Sequence, residues 1–543
     1  MSVHSGNDWP FSPVGAGEIG YHGDSDMGEH VIIEDERRPV PVSTASVIQV
    51  EKQLVGIMAS MQVTRQEVLR GAPAGRVLRS AWAVLTERVD DHKAFEVSKP
   101  VERITEFWSH SWHGSAWRKV LTLLVVKNGF AALVTSLFSS LLFALLFGFG
   151  ILPAYSFGEE TEEDFRSVWA LSAGCVASCL TLLLWRPQTC VFLDRVCIDQ
   201  RSPKAKAEGT LNVGAFLKNS DAMLALWDSS YAQRLWCVFE LAAYLKSHER
   251  QGERLVLRPT FIGPCCVAMS LCMVGFMAVL ATVPFDDQIV GSVILTALGT
   301  VGFYFAGGQF RNFYQEVGTM KAQMNEFRIH KAKSWCCCSS HVDANGKAML
   351  CDRVIVTECI VAWFGSEKQF EEAVQSKVMN LVAQRLEGRR AFPYLWLVGA
   401  FAPIAWGIMD GVAGQARAGN VEQAVFFTVN GVLWWLCNMP CLFAFWMTLI
   451  QRCHQKCDAK WKEVLLNLVI MWAMSILFVA TFGLTRGLSA LVGDRLLGQC
   501  ISLGLMAIVT ALTFCSCRKQ PAAASPHHTP HHIIPSKIVP SDF

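Results

Sequence analysis

Long apolar stretches constrain this chain more than any other feature. They run over 129–152, 167–185, 262–283, 289–308, 393–413, 424–449, 464–484 and 496–515. Each approaches or exceeds the length a helix needs to cross a hydrocarbon core of roughly 30 Å. Composition agrees, since 17% of the 543 residues are charged, below the quarter or so usual in soluble domains. The expected fold is an α-helical polytopic membrane protein of about eight spans, with the lipid bilayer as its first partner. The stretch 167–185 is the least hydrophobic.

The spans fall into four close pairs joined by short links, Pro153–Arg166, Pro284–Gln288, Gly414–Gln423 and Thr485–Arg495. These links carry few cations, whereas 311–333 and 451–462, between pairs, are rich in Lys and Arg. The positive-inside rule then places both termini and the long segments in the cytosol. A net charge of +2 gives no basic face for nucleic acid. Twenty cysteines scattered through apolar and basic segments read as reduced thiols rather than as a disulfide framework.

Organisation follows from these spans. Residues 1–45, rich in Gly, Pro, Asp and Ser, read as a disordered region that is neither a signal nor a transit peptide. Residues 46–100 read as amphipathic helices, with a break at Gly71-Ala72-Pro73-Ala74-Gly75. A soluble α/β unit occupies 101–128 and 186–264, interrupted by a first transmembrane hairpin at 129–185. A second hairpin (262–309), a helical segment (310–392), a four-span region (393–516) and a disordered tail (517–543) complete the chain.

Within 186–264, the apolar run Thr189–Leu193 ending on Asp194 reads as a buried parallel-type strand. A polar loop with Gly209, an amphipathic helix over Leu211–Leu217, a strand at Ala222–Trp227, a helix from Tyr231 to Tyr244 and a strand at Arg254–Ile262 follow. That alternation predicts a parallel α/β sheet.

The stretch Tyr231-Ala232-x-x-x-Trp236-Cys237-x-x-Glu240-Leu241 resembles the Y-A-x-x-x-W-C-x-x-E-L motif of plant-type TIR (toll/interleukin-1 receptor) domains, without gaps. Upstream, Glu106-Phe107-Trp108-Ser109-His110-Ser111-Trp112 resembles the F-x-S-H-S first strand of bacterial and protist TIR-like domains, and Val191–Asp194 resembles the second strand. The resemblance implies a small flavodoxin-like TIR-like domain, split by the first two spans and covering about a fifth of the chain. Because an even number of spans intervenes, both halves emerge on one side and can share a sheet. Two departures stand out: Ser-Trp-His-Gly at 111–114 replaces the plant F-R-G-x-D, and no fifth strand is evident before the third span. As a whole, the arrangement also resembles multi-span proteins of dinoflagellates and related protists.

The resemblance implies signalling through TIR-like or other cytosolic partners, with homo-oligomers among them. In the TIR domains that cleave NAD, the motif glutamate meets the ribose as the nicotinamide bond breaks, so Glu240 is the candidate catalytic residue of an NAD glycohydrolase and NAD its candidate substrate. A carboxylate suits that step because it stabilises developing oxocarbenium charge. Ser109, Asp194, Ser229 and Trp236 are the candidate substrate-binding residues. The residues equally fit a structural reading, in which Trp236 and Leu241 anchor a core, Glu240 caps a helix or pairs with Arg234 or Lys246, and Asp194, Asp199 and Ser229 shape turns. Cys237 reads as a small buried hydrophobe.

Cys336-Cys337-Cys338 with His341 and Cys351 offers enough ligands for zinc, but lacks Cys-x-x-Cys spacing. Reversible acylation of Cys336, Cys337 and Cys338 is the expectation, with no metal site. The histidines of His527-His528-Thr529-Pro530-His531-His532 read as part of the disordered tail. Transport is disfavoured, because the spans are almost free of ionisable residues; Asp410 is the exception. The segment 351–390, acidic early and basic late, predicts a helical pair that docks on the α/β unit.

Overall fold

The computed structural model describes residues 44–515, apart from 87, 89, 155–164, 250–253, 283–287, 342–349, 388–390 and 456, with the backbone alone over 44–47, 288–299 and 515. Apart from residues 44 and 45, which open a helix, the ends expected to be disordered lie outside the described residues.

Six strands form one sheet: β1 (Arg70–Pro73), β2 (Lys99–Pro100), β3 (Ile104–His110), β4 (Cys190–Phe192), β5 (Ser220–Trp227) and β6 (Leu255–Pro259). Their order is β2-β1-β4-β3-β5-β6. The last four in sequence are mutually parallel, with β3 between β4 and β5. The two sequence pieces therefore share a sheet: Phe107 lies opposite Phe192 on one side of β3 and Met223 on the other. Met223 to Trp227 are all buried, as expected of a parallel strand covered on both faces. Phe107 stacks on Phe192 with ring centroids 4.6 Å apart, and Phe192 meets Phe216 at 5.0 Å.

The first two strands were not anticipated. The Gly-Ala-Pro stretch at 71–73, read as a break between helices, is most of β1, which runs antiparallel along β4 and carries β2 on its far side. Its glycine is needed there, since a Cβ on Gly71 would lie 2.3 Å from Cys190 Sγ. Gly209 sits not in a loop but in the helix Pro203–Leu211, whose Ser202 cap accepts from Ala205 N at 3.1 Å and whose first residue is proline. The expected helix from Tyr231 starts as a 3-10 turn, Tyr231–Gln233, and becomes α-helical over Leu235–Ser247.

Among the described residues, five helices are long and apolar enough to cross a membrane: Ala116–Gly148, Ile262–Thr282, Val421–Arg452, Lys460–Val492 and Arg495–Phe514. A sixth is added if Tyr394–Ala400 and Ala402–Arg417, bent by 51° at Phe401, count as one span. Helices also fill the two remaining apolar stretches, Trp169–Leu184 and Gln288–Asn325. The first has 16 residues, about 24 Å, short of the hydrocarbon thickness. Large apolar side chains such as Phe130, Phe138, Ile476 and Leu491 are exposed on this bundle, in keeping with lipid contact.

The helices between sheet and bundle are longer than a bilayer requires. Ala116–Gly148, with 33 residues, runs for about 50 Å. Its first turns lie against the sheet's end, where Thr122 donates to Thr260 O (2.8 Å) and accepts from Gly263 N (3.1 Å). Farther on it pairs antiparallel with Trp169–Leu184: Asn128 donates to Leu182 O, Thr135 shares a hydrogen bond with Thr181, and Ser140 donates to Ala170 O. Asp410 closes this hairpin. Its carboxylate accepts from Ala170 N (3.0 Å), Leu171 N (2.9 Å) and the Ser167 hydroxyl, supplying from another helix the acceptors that the first turn of Trp169–Leu184 lacks.

Candidate functional site

In an open parallel sheet, ligands bind beyond the carboxyl ends of the strands, where the strand order reverses. Here that point is at the ends of β3, β4 and β5. Ser109 lies near the end of β3, and Asp194 follows β4, where it opens the short helix Asp194–Cys197 rather than ending the strand. Glu240 comes from Leu235–Ser247, the helix that follows β5.

Ser109 Oγ donates to Glu240 Oε2 at 2.5 Å and shares a 2.6 Å hydrogen bond with the Tyr231 hydroxyl. With Ser109 donating to the carboxyl, Tyr231 donates to Ser109, giving a relay of two hydroxyls into one acid. Tyr231 is fixed by stacking on Trp227 at 4.5 Å. The surrounding protein pushes the Glu240 carboxyl up to about 8, with the Asp194 charge adding to the rise and Ser109 opposing it. Burial thus biases Glu240 toward its protonated form near neutral pH.

Asp194 is pushed up to about 6 by burial, against the hydrogen bonds from Arg195 N and Trp112 Nε1. Trp112 in turn packs edge-on against buried His110, which burial holds well below its ordinary value. Cys237 is buried and donates to His110 O at 3.5 Å; burial raises its thiol well above the usual range, so it stays protonated.

Sequence reasoning missed a second polar group beside these. The Lys119 ammonium donates to Ser111 O, and Ser230 Oγ donates to Asp228 Oδ1 (2.5 Å) and lies 2.7 Å from Ser111 Oγ, which can donate to it. Gly114 lets the turn after β3 pass close to Asp228, since a Cβ there would lie 1.6 Å from Asp228 Oδ2. Lys119 stands in the first turn of Ala116–Gly148, inside the 101–128 piece of the α/β unit, and its place beside Ser111 depends on the turn after β3. A lysine that early in such a helix was the available signal.

Two expected residues stand elsewhere. Ser229 is exposed, and it is its backbone carbonyl that is used, accepting from Gln323 (2.6 Å) and Gln233 (3.1 Å). Trp236 is turned toward a different neighbour, donating to Asp352 Oδ2 at 3.3 Å and packing on Phe239. The alternative pairings for Glu240 are otherwise engaged, Arg234 with His113 and Lys246 with Glu249. Two cavities among the described residues lie away from Glu240. One, of about 290 Å³, is lined by Arg311, Glu463 and Asn467; the other, of about 260 Å³, by apolar bundle residues including Trp396 and Trp406.

Helix Asp352–Phe364 packs on the motif helix through Trp363 and Phe239 (5.3 Å), while Trp363 also donates to Ala59 O at 2.8 Å. Of the cysteines expected to carry acyl chains, Cys336 is 1% exposed, Cys337 is half-buried and Cys338 is exposed.

No known family model, curated protein or solved structure matches the chain.

Proposed function

We propose that the chain is a multi-pass membrane signalling protein of eight spans, whose cytosolic TIR-like module works by protein interaction rather than by cleaving NAD. The state of Glu240 carries this reading. A carboxyl raised to about 8 and tied to Ser109 lacks the negative charge that would meet an oxocarbenium-like ribose. The parallel order β4-β3-β5-β6 and the motif helix lying against β3 support the module's kinship with TIR domains. Long helices that leave the sheet and enter the apolar bundle suit a signal passed between membrane and module. The engagement of Asp410 as a helix cap argues against its serving an ion path.

NAD glycohydrolysis through Glu240 is the alternative, and one assay separates the two. Full-length protein in lipid nanodiscs is incubated with NAD and nicotinamide release is followed. No release above the protein-free control is expected, with Glu240→Ala unchanged. Release that Glu240→Ala abolishes would establish the enzyme. For the interaction itself, cross-linking in cells should give a defined adduct with a TIR-containing protein or a second copy; a strictly monomeric, unadducted chain would contradict it.

A further inference from the structure

We propose that Cys336, Cys337, His341 and Cys351 form a structural zinc site that fastens residues 333–341 and 350–352 beside the start of the motif helix. The inference stands apart from the TIR-like reading. Although the sequence spacing argued against a site, only two of the three adjacent cysteines need to turn inward. Cys336 and Cys337 sit on the one-turn helix Trp335–Cys338, while Cys338 faces solvent. Cys351 arrives immediately before the helix Asp352–Phe364. The ligand atoms of the four residues all lie within 4.8 Å of one another.

The distances fit the metal. Cys337 Sγ lies 3.8 Å from both Cys336 Sγ and Cys351 Sγ. Zinc–thiolate bonds of about 2.3 Å in a tetrahedron place sulfurs about 3.8 Å apart, whereas a disulfide would hold them at about 2.05 Å. The histidine adds an independent observation. His341 Nε2 is buried with no hydrogen-bond partner among the described residues. Ser340 and His341 both adopt left-handed backbone, φ 57° and 60°, a conformation that residues with a Cβ avoid. That turn carries the ring back over the helix, with His341 N donating to Cys336 O at 2.8 Å.

Binding converts the thiols to thiolates and releases their protons, with no change of oxidation state. Three sulfurs and one imidazole nitrogen suit Zn²⁺ better than oxygen-seeking cations. The outer contacts lead to the motif helix: Ser334 Oγ lies 3.1 Å from Cys336 Sγ and donates to Asp352 Oδ2 (3.2 Å), which also accepts from Trp236 Nε1. The backbone beside it is paired as well, Leu235 N donating to Lys333 O at 3.0 Å and Lys333 N to Gln233 O at 2.6 Å.

The test uses the full chain purified in detergent from zinc-replete cells. About one tightly held Zn²⁺ per chain is expected by elemental analysis, and exchange with Co²⁺ should give the thiolate charge-transfer and visible bands of a tetrahedral centre. Cys351→Ser should weaken Zn²⁺ binding more than tenfold, and Cys338→Ser should leave it unchanged. Should Cys351→Ser not fold, His341→Cys, which keeps four ligands, should retain the metal with a shifted cobalt spectrum. Wild-type protein without zinc and without cobalt bands overturns the site. So does zinc unaffected by Cys351→Ser, which would lie elsewhere, as on the His527–His532 tail, and so does a Cys337–Cys351 disulfide found by mass mapping.

Discussion

In the helical bundle, the buried carboxylate of Asp410 is spoken for by two backbone amides and a hydroxyl, whereas at the sheet's end five ionisable groups, Glu240, Asp194, His110, Lys119 and Asp228, crowd together. His110 Nε2 and Asp228 Oδ2 are buried without hydrogen-bond partners among the described residues. The bundle's intrahelical hydroxyls mostly return to their own backbone, as Thr135, Ser475 and Thr481 do. Unmatched buried groups are costly and are kept where they serve a function or store strain. The difference makes the sheet's end the candidate site, although among the described residues the bundle keeps buried unmatched atoms of its own, on Asn438 and Gln499.

The largest expected effect sharpens that division. Phe192, fully buried between Phe107 and Phe216, joins the sheet's two pieces, and Phe192→Ala should destabilise the sheet by about 3–5 kcal/mol. Phe138→Ala, on a residue 69% exposed to the bundle's outer surface, should change stability by less than about 0.5 kcal/mol. Denaturant unfolding in a fixed detergent, followed by limited proteolysis, compares them. Next comes Asp410→Ala, which removes the cap of Trp169–Leu184 and should loosen the hairpin by about 1–2 kcal/mol. Proteoliposome ion flux should stay at background in wild type and variant alike; flux that Asp410→Ala abolishes would break the comparison.

Titration gives a subtler effect. Glu240 and Asp194 are raised to about 8 and about 6 from ordinary values of 4.5 and 3.8. Between those limits the folded state binds more protons than the unfolded one, so stability falls as pH rises through this window. Glu240→Gln should flatten the decline up to pH 8 in unfolding measured across pH, and an unchanged slope would mean that Glu240 is ionised throughout. The smallest effect is on the surface. Lys246→Ala removes an exposed pair with Glu249 and should cost under about 0.5 kcal/mol by the same unfolding assay.

Much of this was legible in the sequence because each signal was local. Continuous apolar runs marked β4, β5 and the bundle helices, and the 231–241 spacing drew attention to Glu240. What stayed hidden depends on distant contacts. β1 and β2 are short, and Gly71 and Pro73 disguise β1 as a break; it is a strand only because the β4 edge is there to pair with. Trp236 shares a helical face with Glu240 by spacing, yet its partner Asp352 arrives from 116 residues away. Lys119 gains its meaning from Ser111 and Asp228, which other elements bring to it, and the Cys336–Cys351 grouping needs a left-handed turn at His341 that no ligand spacing announces.

The central claim is that one sheet is assembled from both sides of an apolar helical hairpin, and hydrogen exchange on the full chain in nanodiscs tests it most directly. Phe192→Ala, made beyond the hairpin, should speed amide exchange in Ile104–His110, before it, as much as in Ser220–Trp227, by about a hundredfold or more. Exchange in Ile104–His110 that is indifferent to Phe192→Ala, while Ser220–Trp227 responds, would contradict it.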